Sequence, residues 1–476
     1  MANKKYGVGP RKKRGRLASV TLAASLCCMG AAAHAQEAVS GDQALATTKA
    51  PPPVAAPSAF NGPLATFAGP LAAQGITFHA VALNFSEVNP SLGLAPGHAA
   101  NSLYVIEGVD ADLGKLMGLA GTSLHFENMF FPATENLNIA PQIGDSQVGY
   151  QPPYTPRIAR LSRATIEQKA FDNRLDVEVG ATHPGYYYAL FNCSSINTCF
   201  QDMLYLNAGY TSYGFAVPGG NVSYAISPSI YVETGAFAVQ PGANSHIGYD
   251  FPNETYDGAL AMAEIGRRAT FSMEPFPWKI SLTAFVNTAN HLDYTAATAS
   301  NGAASTVSGT SGMVLQGEKV VWRQDGGSDV GNKTPMALKL YGSFGWAFDS
   351  TIPVQGDTWV GATLMSPFAG RPSDTYGLKF NWQRMNANYT SYLTAANFVS
   401  GGPGFLSPYR RDSYIFEANA HLQLPYGMAF EPVVQYEINP NSYFNPLTPA
   451  RARDGVYIGG TYVIPLGTML GLQASN

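Results

Sequence analysis

From Tyr414 to Leu424 the chain reads YIFEANAHLQL, and alternate positions form two unlike sets. Tyr414, Phe416, Ala418, Ala420 and Leu422 are apolar or aromatic; Glu417, Asn419, His421 and Gln423, with Ile415, alternate with them. A period of two belongs to a β-strand, whose successive side chains point to opposite sides of the sheet. The alternation recurs in NRLDVEVG, WKISLTAFVN, PMALKLYGSFGWAF, TYGLKFNWQRM and AFEPVVQYEI, with Lys279, Lys339 and Lys379 on the polar sides. Clusters of Gly, Asn, Asp, Ser and Pro separate these runs, and no helical pattern extends beyond a few turns. The chain from Gly75 onward therefore reads as all-β.

Alternation alone does not say which face is inside. A soluble sheet buries its apolar face, whereas a membrane barrel turns that face to lipid and lines a channel with the polar one. The composition favours the barrel: 26 Tyr, 25 Phe and 5 Trp, with aromatic residues at or near the ends of several apolar faces. Rings that are half apolar and half polar prefer the level of lipid headgroups. Long polar stretches such as 295–312 read as loops. A β-propeller would show a repeat of roughly 40–50 residues, and none is found.

The first residues set the compartment. Lys4, Lys5, Arg11, Lys12, Lys13, Arg14 and Arg16 precede the apolar run LASVTLAASLCCMGAAA, which ends in Ala33-His34-Ala35. This is the pattern of a cleaved secretory signal peptide over residues 1–35. Residues 36–74, rich in Ala, Pro, Thr and Gly, read as a flexible linker, and residues 75–476 as the folded domain. Cleavage removes seven of the 28 basic residues and none of the 32 acidic ones, leaving 21 against 32 and a net charge of −11. An acidic chain without a basic stripe is not a nucleic-acid binder. No apolar run long enough for a helical span follows the leader, so a membrane can be crossed only by a closed barrel.

Cys193 and Cys199, in CSSINTC, survive cleavage of the leader; in an oxidising compartment they read as a disulfide that braces a loop. The eight histidines are scattered without an H-x-x-x-H pair, so no metal and no cofactor are expected. In GTSLHFEN, Ser123, His125 and Glu127 share a strand face. Neighbours two apart on a strand are separated by roughly 7 Å, too far for a nucleophile and its base, and no G-x-S-x-G elbow occurs. An enzyme is not expected.

Three further segments resemble the OprB-type carbohydrate-selective porins of the Gram-negative outer membrane. They are PRIARLSRATIEQKAFDNRLDVEVG, PFAGRPSDTYGLKF (with Gly370, Arg371, Pro372, Asp374 and Gly377) and AFEPVVQYEINP. The resemblance spans roughly residues 75–472. It implies a transmembrane antiparallel β-barrel of about 16 strands, with 18 as the alternative, narrowed by an inward-folded loop through which small sugars such as glucose diffuse. It also implies contact with outer-membrane lipid and the barrel-assembly machinery, as a monomer or homotrimer. The alternatives are a general porin and, less in keeping with the residues, a soluble exported β-rich binding protein.

Against that family pattern the pore-lining candidates are Arg157, Arg163 and Glu167 on one strand face, and Arg174, Asp176 and Glu178 on the next. Glu233, Glu264 and Arg371 join them, while Arg160 falls on the opposite parity unless a bulge intervenes. Tyr186-Tyr187-Tyr188 reads either as a sugar platform or as part of a headgroup girdle. The last strand is expected to run into TMLGL, followed by the polar tail Gln473-Ala474-Ser475-Asn476.

Overall fold

In this computed structural model the described residues are 60–148, 159–188, 216–240, 247–249, 254–299, 305–329, 331–350 and 352–474. Their first eight strands are β1 (Ile76–Val88), β2 (Ala99–Asp112), β3 (Thr122–Glu135), β4 (Arg160–Ala170), β5 (Leu175–Thr182), β6 (Val217–Ala225), β7 (Ile230–Val239) and β8 (Gly258–Arg267). The second eight are β9 (Trp278–Leu292), β10 (Thr306–Arg323), β11 (Ala337–Ala347), β12 (Val354–Met365), β13 (Thr375–Met385), β14 (Asp412–Gln423), β15 (Ala429–Ile438) and β16 (Gly455–Ile464). Each pairs antiparallel with its neighbours in sequence, and β1 closes on β16 from Ala82↔Ile464 to Val88↔Ile458. The result is a closed barrel of sixteen strands.

Closure and alternation together settle the inside-outside question. Along β14 the outward Phe416 is 51% exposed, whereas the neighbouring Glu417 is 4% exposed and faces the lumen with Asn419 and His421. Val360, Leu378, Val434, Ile280 and Leu340 likewise stand exposed on the outer wall. No helix among the described residues is long and apolar enough to cross a membrane; the strands do the crossing.

The connections differ at the two ends. At one end they are tight, as in the β4–β5 turn, where Phe171, Asp172 and Asn173 all take positive φ (53°, 54° and 63°). Asp and Asn tolerate that left-handed region better than most residues. At the other end the connections are long, such as 386–411, which carries a helix over Ala387–Val399. In membrane barrels the short turns face the periplasm and the long loops face outward, which orients the barrel. The stretch 295–312 is only partly a loop, because β10 begins at Thr306 and pairs with β9 from there.

Among the described residues six short α-helices accompany the barrel: α1 (Ala65–Gln74), α2 (Leu113–Met117), α3 (Ile139–Ile143), α4 (Tyr294–Ala299), α5 (Ala387–Val399) and α6 (Leu466–Leu470). Two of them change the expected boundaries. The linker reading fails over its last residues, since α1 packs on β1 and Leu64 N–H donates to the carbonyl of Leu470 (2.8 Å). The last strand stops at Ile464, before Pro465. The following residues turn into α6, which also packs on β1, so TMLGL does not extend the sheet.

The faces predict an asymmetric response to charge. Val434→Arg, on the lipid side toward the middle of β15, should cost about 2–4 kcal/mol of stability in reversible unfolding from lipid vesicles. Asn381→Ser on the lumenal side of β13 should cost well under half of that. Equal costs would contradict the assignment of the faces.

Candidate functional site

The lumen is built from the polar sets of all sixteen strands, and two of its walls carry concentrated charge. The first spans β3, β4 and β5. Here β4 departs from strict pairing: Glu127 stands opposite Arg163, but the next residue, Asn128, stands opposite Leu161. One extra residue, Ser162, is accommodated. Such a bulge shifts the phase of a strand, so Arg160 comes to the inside alongside Arg163 and is 1% exposed. Strict alternation would have sent it into lipid.

Around the bulge the side chains interlock. Arg163 donates through Nε and Nη2 to Oε1 of Glu178, at 2.7 Å each, and Thr165 Oγ1 donates to the same oxygen at 2.6 Å. The Arg163 guanidinium lies 5.0 Å from the ring centre of Tyr186. The Tyr186 and Ser162 hydroxyls both donate to Oε1 of Glu127. Lower in the barrel, Glu167 accepts from Lys169 at 2.7 Å and lies 3.6 Å from Nε2 of His125. Asp176 is buried on the same inner surface. Glu233 and Glu264 sit directly opposite one another on β7 and β8. Asn221 donates to Glu233 (2.7 Å), while Tyr231 and Thr283 donate to Glu264 (2.5 Å each).

Two of the expected lining residues are elsewhere. Arg174 is exposed at the β4–β5 turn, where it donates to the carbonyls of Ala225 and Ile226 and lies over the Tyr224 ring. The turn, not the strand, fixes its direction. Arg371 belongs to the periplasmic turn between β12 and β13; it pairs with Asp374 and donates to the carbonyl of Gln423. Both tie turns together and neither lines the constriction. Arg157, Cys193 and Cys199 lie outside the described residues.

The second charged wall, on β9 to β15, was not singled out as a site from the sequence. Lys279 and Lys339 converge on Glu318, at 3.4 and 2.9 Å. Lys379 pairs with Glu417 at 3.3 Å, and its Nζ lies 5.4 Å from the Trp359 ring centre. Gln435 and Asn419 donate to the same Glu417 (2.8 and 2.6 Å). The signal was present in the alternation, because each of these lysines occupies a polar-face position. What was missing was the cross-strand register that brings them to their partners.

Two loops narrow the channel from its outer end. The β3–β4 connection turns inward through α3, and Ile139 and Ile143 pack with Leu92, Ile415, Val433 and Tyr457. Beyond it, Ser146 donates to Gln383 (3.1 Å) and Asn441 donates to Ser146 (2.9 Å). From the other side Tyr187 and Tyr188 enter beside Phe237, Leu260, Met262 and Phe285. The tyrosine run is therefore inside the barrel and forms no headgroup girdle. Ser123, His125 and Glu127 share the inner face, but His125 is engaged by Asp110 at 2.6 Å and Glu127 by Ser162 and Tyr186.

A closed barrel with a lipid-facing apolar exterior, a charged lumen and inward-folded loops defines the chain as an outer-membrane porin. It belongs to the carbohydrate-selective porin OprB family, whose profile matches residues 98–463, and is thus a channel for carbohydrates across that membrane. The fold is similar to that of Pseudomonas putida OprB at high pH (TM-score 0.70, 20% identity, covering 83% of this chain and 95% of that one). The low-pH form of the same protein gives a TM-score of 0.49 at 15% identity, covering 83% and 94%. OmpT of Vibrio cholerae gives 0.44 at 9% identity, covering 82% and 98%. No curated protein matches the chain by sequence.

Docking of the inward β3–β4 loop is expected to depend on pH. Burial pushes the Asp145 carboxyl up to about 6, against the opposing effect of N–H bonds from Gln147 (2.6 Å) and Asn441 (2.7 Å). A carboxyl raised on docking favours the docked state below its ordinary range, and that advantage is lost as pH rises through about 6. Hydrogen-exchange protection of residues 139–148, corrected for intrinsic rates, should fall between pH 4 and pH 7. Protection that rises over that interval would contradict the assignment.

Proposed function

We propose that glucose and related small sugars are the preferred solutes, and that the Arg163–Glu178 wall touches them during passage. The observation that supports this reading is the pairing of fixed, opposite charges with nearby rings on both walls: Arg163 with Glu178 and Tyr186, and Lys379 with Glu417 and Trp359. A sugar carries hydroxyls at its rim and C–H groups on its faces. Ionised side chains exchange hydrogen bonds with the rim as water is shed, while aromatic rings pack on the faces. Charges that are already paired attract a neutral polyol weakly and present little net field to an ion. Weak contacts suit a channel, since a tightly held solute does not leave.

Glucose should therefore block ion current through the purified protein in planar bilayers with millimolar affinity, corresponding to about −4 kcal/mol. Arg163→Ala should weaken the block by about tenfold, or about 1.4 kcal/mol, while Arg371→Ala on the periplasmic turn should leave it unchanged. Conductance that ignores sugar at high concentration would replace this reading with that of a general porin.

The leader over residues 1–35 and a Cys193–Cys199 bridge belong to the same proposal, since an exported chain meets an oxidising compartment. The intact mass of the protein from the outer membrane, taken without reductant, should correspond to a chain starting after Ala35. It should increase by two hydrogens on reduction. A pair of thiols already free before reduction would remove the bridge from the proposal.

A further inference from the structure

The outer wall carries a recess that sugar transport does not use. Between the extracellular halves of β12, β13 and β14, outward side chains enclose a groove of about 340 Å3. Its floor is apolar and aromatic: Val360 is exposed toward lipid, and the ring of Phe380 stacks on that of Tyr414 with centres 6.2 Å apart. Its extracellular end is charged. Arg384 donates through Nη1 to both oxygens of Asp412 (3.1 and 3.4 Å), and Trp382 Nε1 donates to the same carboxylate (2.9 Å). The rest of the Arg384 fork makes no hydrogen bond among the described residues.

Two more arginines immediately precede Asp412 in the chain. Arg411 precedes β14 and, among the described residues, donates to uncharged oxygens, the Met385 carbonyl (3.0 Å) and the Gln355 side chain. Arg410 is exposed and donates to Asn439 (3.2 Å). Among the described residues Arg384 is the one of the three that contacts the carboxylate of Asp412. Burial, and after it the Arg384 charge, hold Arg411 below the usual guanidinium range, against the opposing effect of Asp412.

The position makes the chemistry specific. An apolar slot open to the hydrocarbon, ending in Trp and Tyr at the interface and in arginines above it, matches a lipid with an acyl chain and an anionic headgroup. Arginine forks suit phosphate because they can donate two parallel hydrogen bonds to it. The long-loop end places the groove in the outer leaflet. We propose that this groove binds one phosphorylated, acylated glycolipid of the outer leaflet, with an acyl chain along Val360 and Phe380 and a phosphate at Arg384 and Arg411. The carboxylate of Asp412 opposes the phosphate directly, and its engagement by Arg384 and Trp382 keeps it occupied.

The test uses the full mature protein in detergent, with diphosphoryl lipid A as the probe and its dephosphorylated form as the control, read by native mass spectrometry. The wild type should retain one diphosphoryl molecule per barrel and bind the control at least about tenfold more weakly, the factor given by a single lost charge-assisted contact of about 1.4 kcal/mol. The double variant Arg384→Gln/Arg411→Gln should lose the same factor. Val360→Trp, which fills the floor and leaves the Arg384–Asp412 pair intact, should reduce binding too and covers the case in which the double variant fails to fold. Heat-modifiable gel migration checks folding, and sugar block of the current should be unchanged in every folded variant. Equal binding of the two probes, or wild-type binding by the folded variants, would reduce the groove to ordinary lipid contact and overturn the proposal.

Discussion

Everything in this molecule follows from the cost of an unpaired peptide group in hydrocarbon. Each such group costs several kcal/mol, so a sheet that enters the membrane must have no edge. Here the requirement falls on one seam, where β1 meets β16 over Ala82 to Val88. The first part of β1, from Ile76 to Val81, runs on beyond that register. α1 and α6 pack on β1, and a Cβ added to Gly467 in α6 would stand 2.7 Å from the backbone nitrogen of Ala80. That close approach is one a glycine permits. The barrel is thus sealed by strand pairing at the seam and covered by helices near its periplasmic end.

Once the sheet is closed, the period of two determines the chemistry of both surfaces. The lipid surface needs only to be apolar, and residues such as Val360, Leu378 and Val434 satisfy it without specific contacts. The lumen needs charge, and charge must be neutralised locally because water in a narrow channel is scarce. Hence the triads and clusters, with Glu318 between Lys279 and Lys339, and Glu178 held by Arg163 and Thr165. Such pairs gain little net stability over apolar packing. What they provide is an interior that stays polar and keeps its side chains in fixed places, which is what a passing hydroxylated solute meets.

The fold was legible because alternation is a local property of the chain. YIFEANAHLQL carries its own faces, and lipid explains why the greasy set is the exposed one. The site was legible only in part. Arg163, Glu167, Asp176, Glu178, Glu233 and Glu264 obey parity and arrive in the lumen. Arg160 arrives there through a bulge, which depends on pairing with β3 and has no periodic signature. Arg174 and Arg371 carry the right chemistry in strand-like surroundings, yet each lies where the chain turns and hydrogen-bonds a neighbouring backbone. The Lys279–Glu318–Lys339 cluster shows the opposite failure. Its members are individually unremarkable and gain meaning only from a register that joins three strands.

The clasp between Leu64 and Leu470 also bears on how such a chain is completed. The groups it joins come from the two extremes of the domain, and Gly62 and Gly471 approach so closely that a Cβ on the first would lie 2.5 Å from the backbone nitrogen of the second. Every other strand pair joins neighbours in sequence, whose hairpins close over short distances. The seam joins partners separated by nearly the whole domain, so its loop-closure entropy is the largest of all. It follows that sealing waits until β16 is in place. Until then β1 and β16 are two unpaired edges, which hydrocarbon penalises.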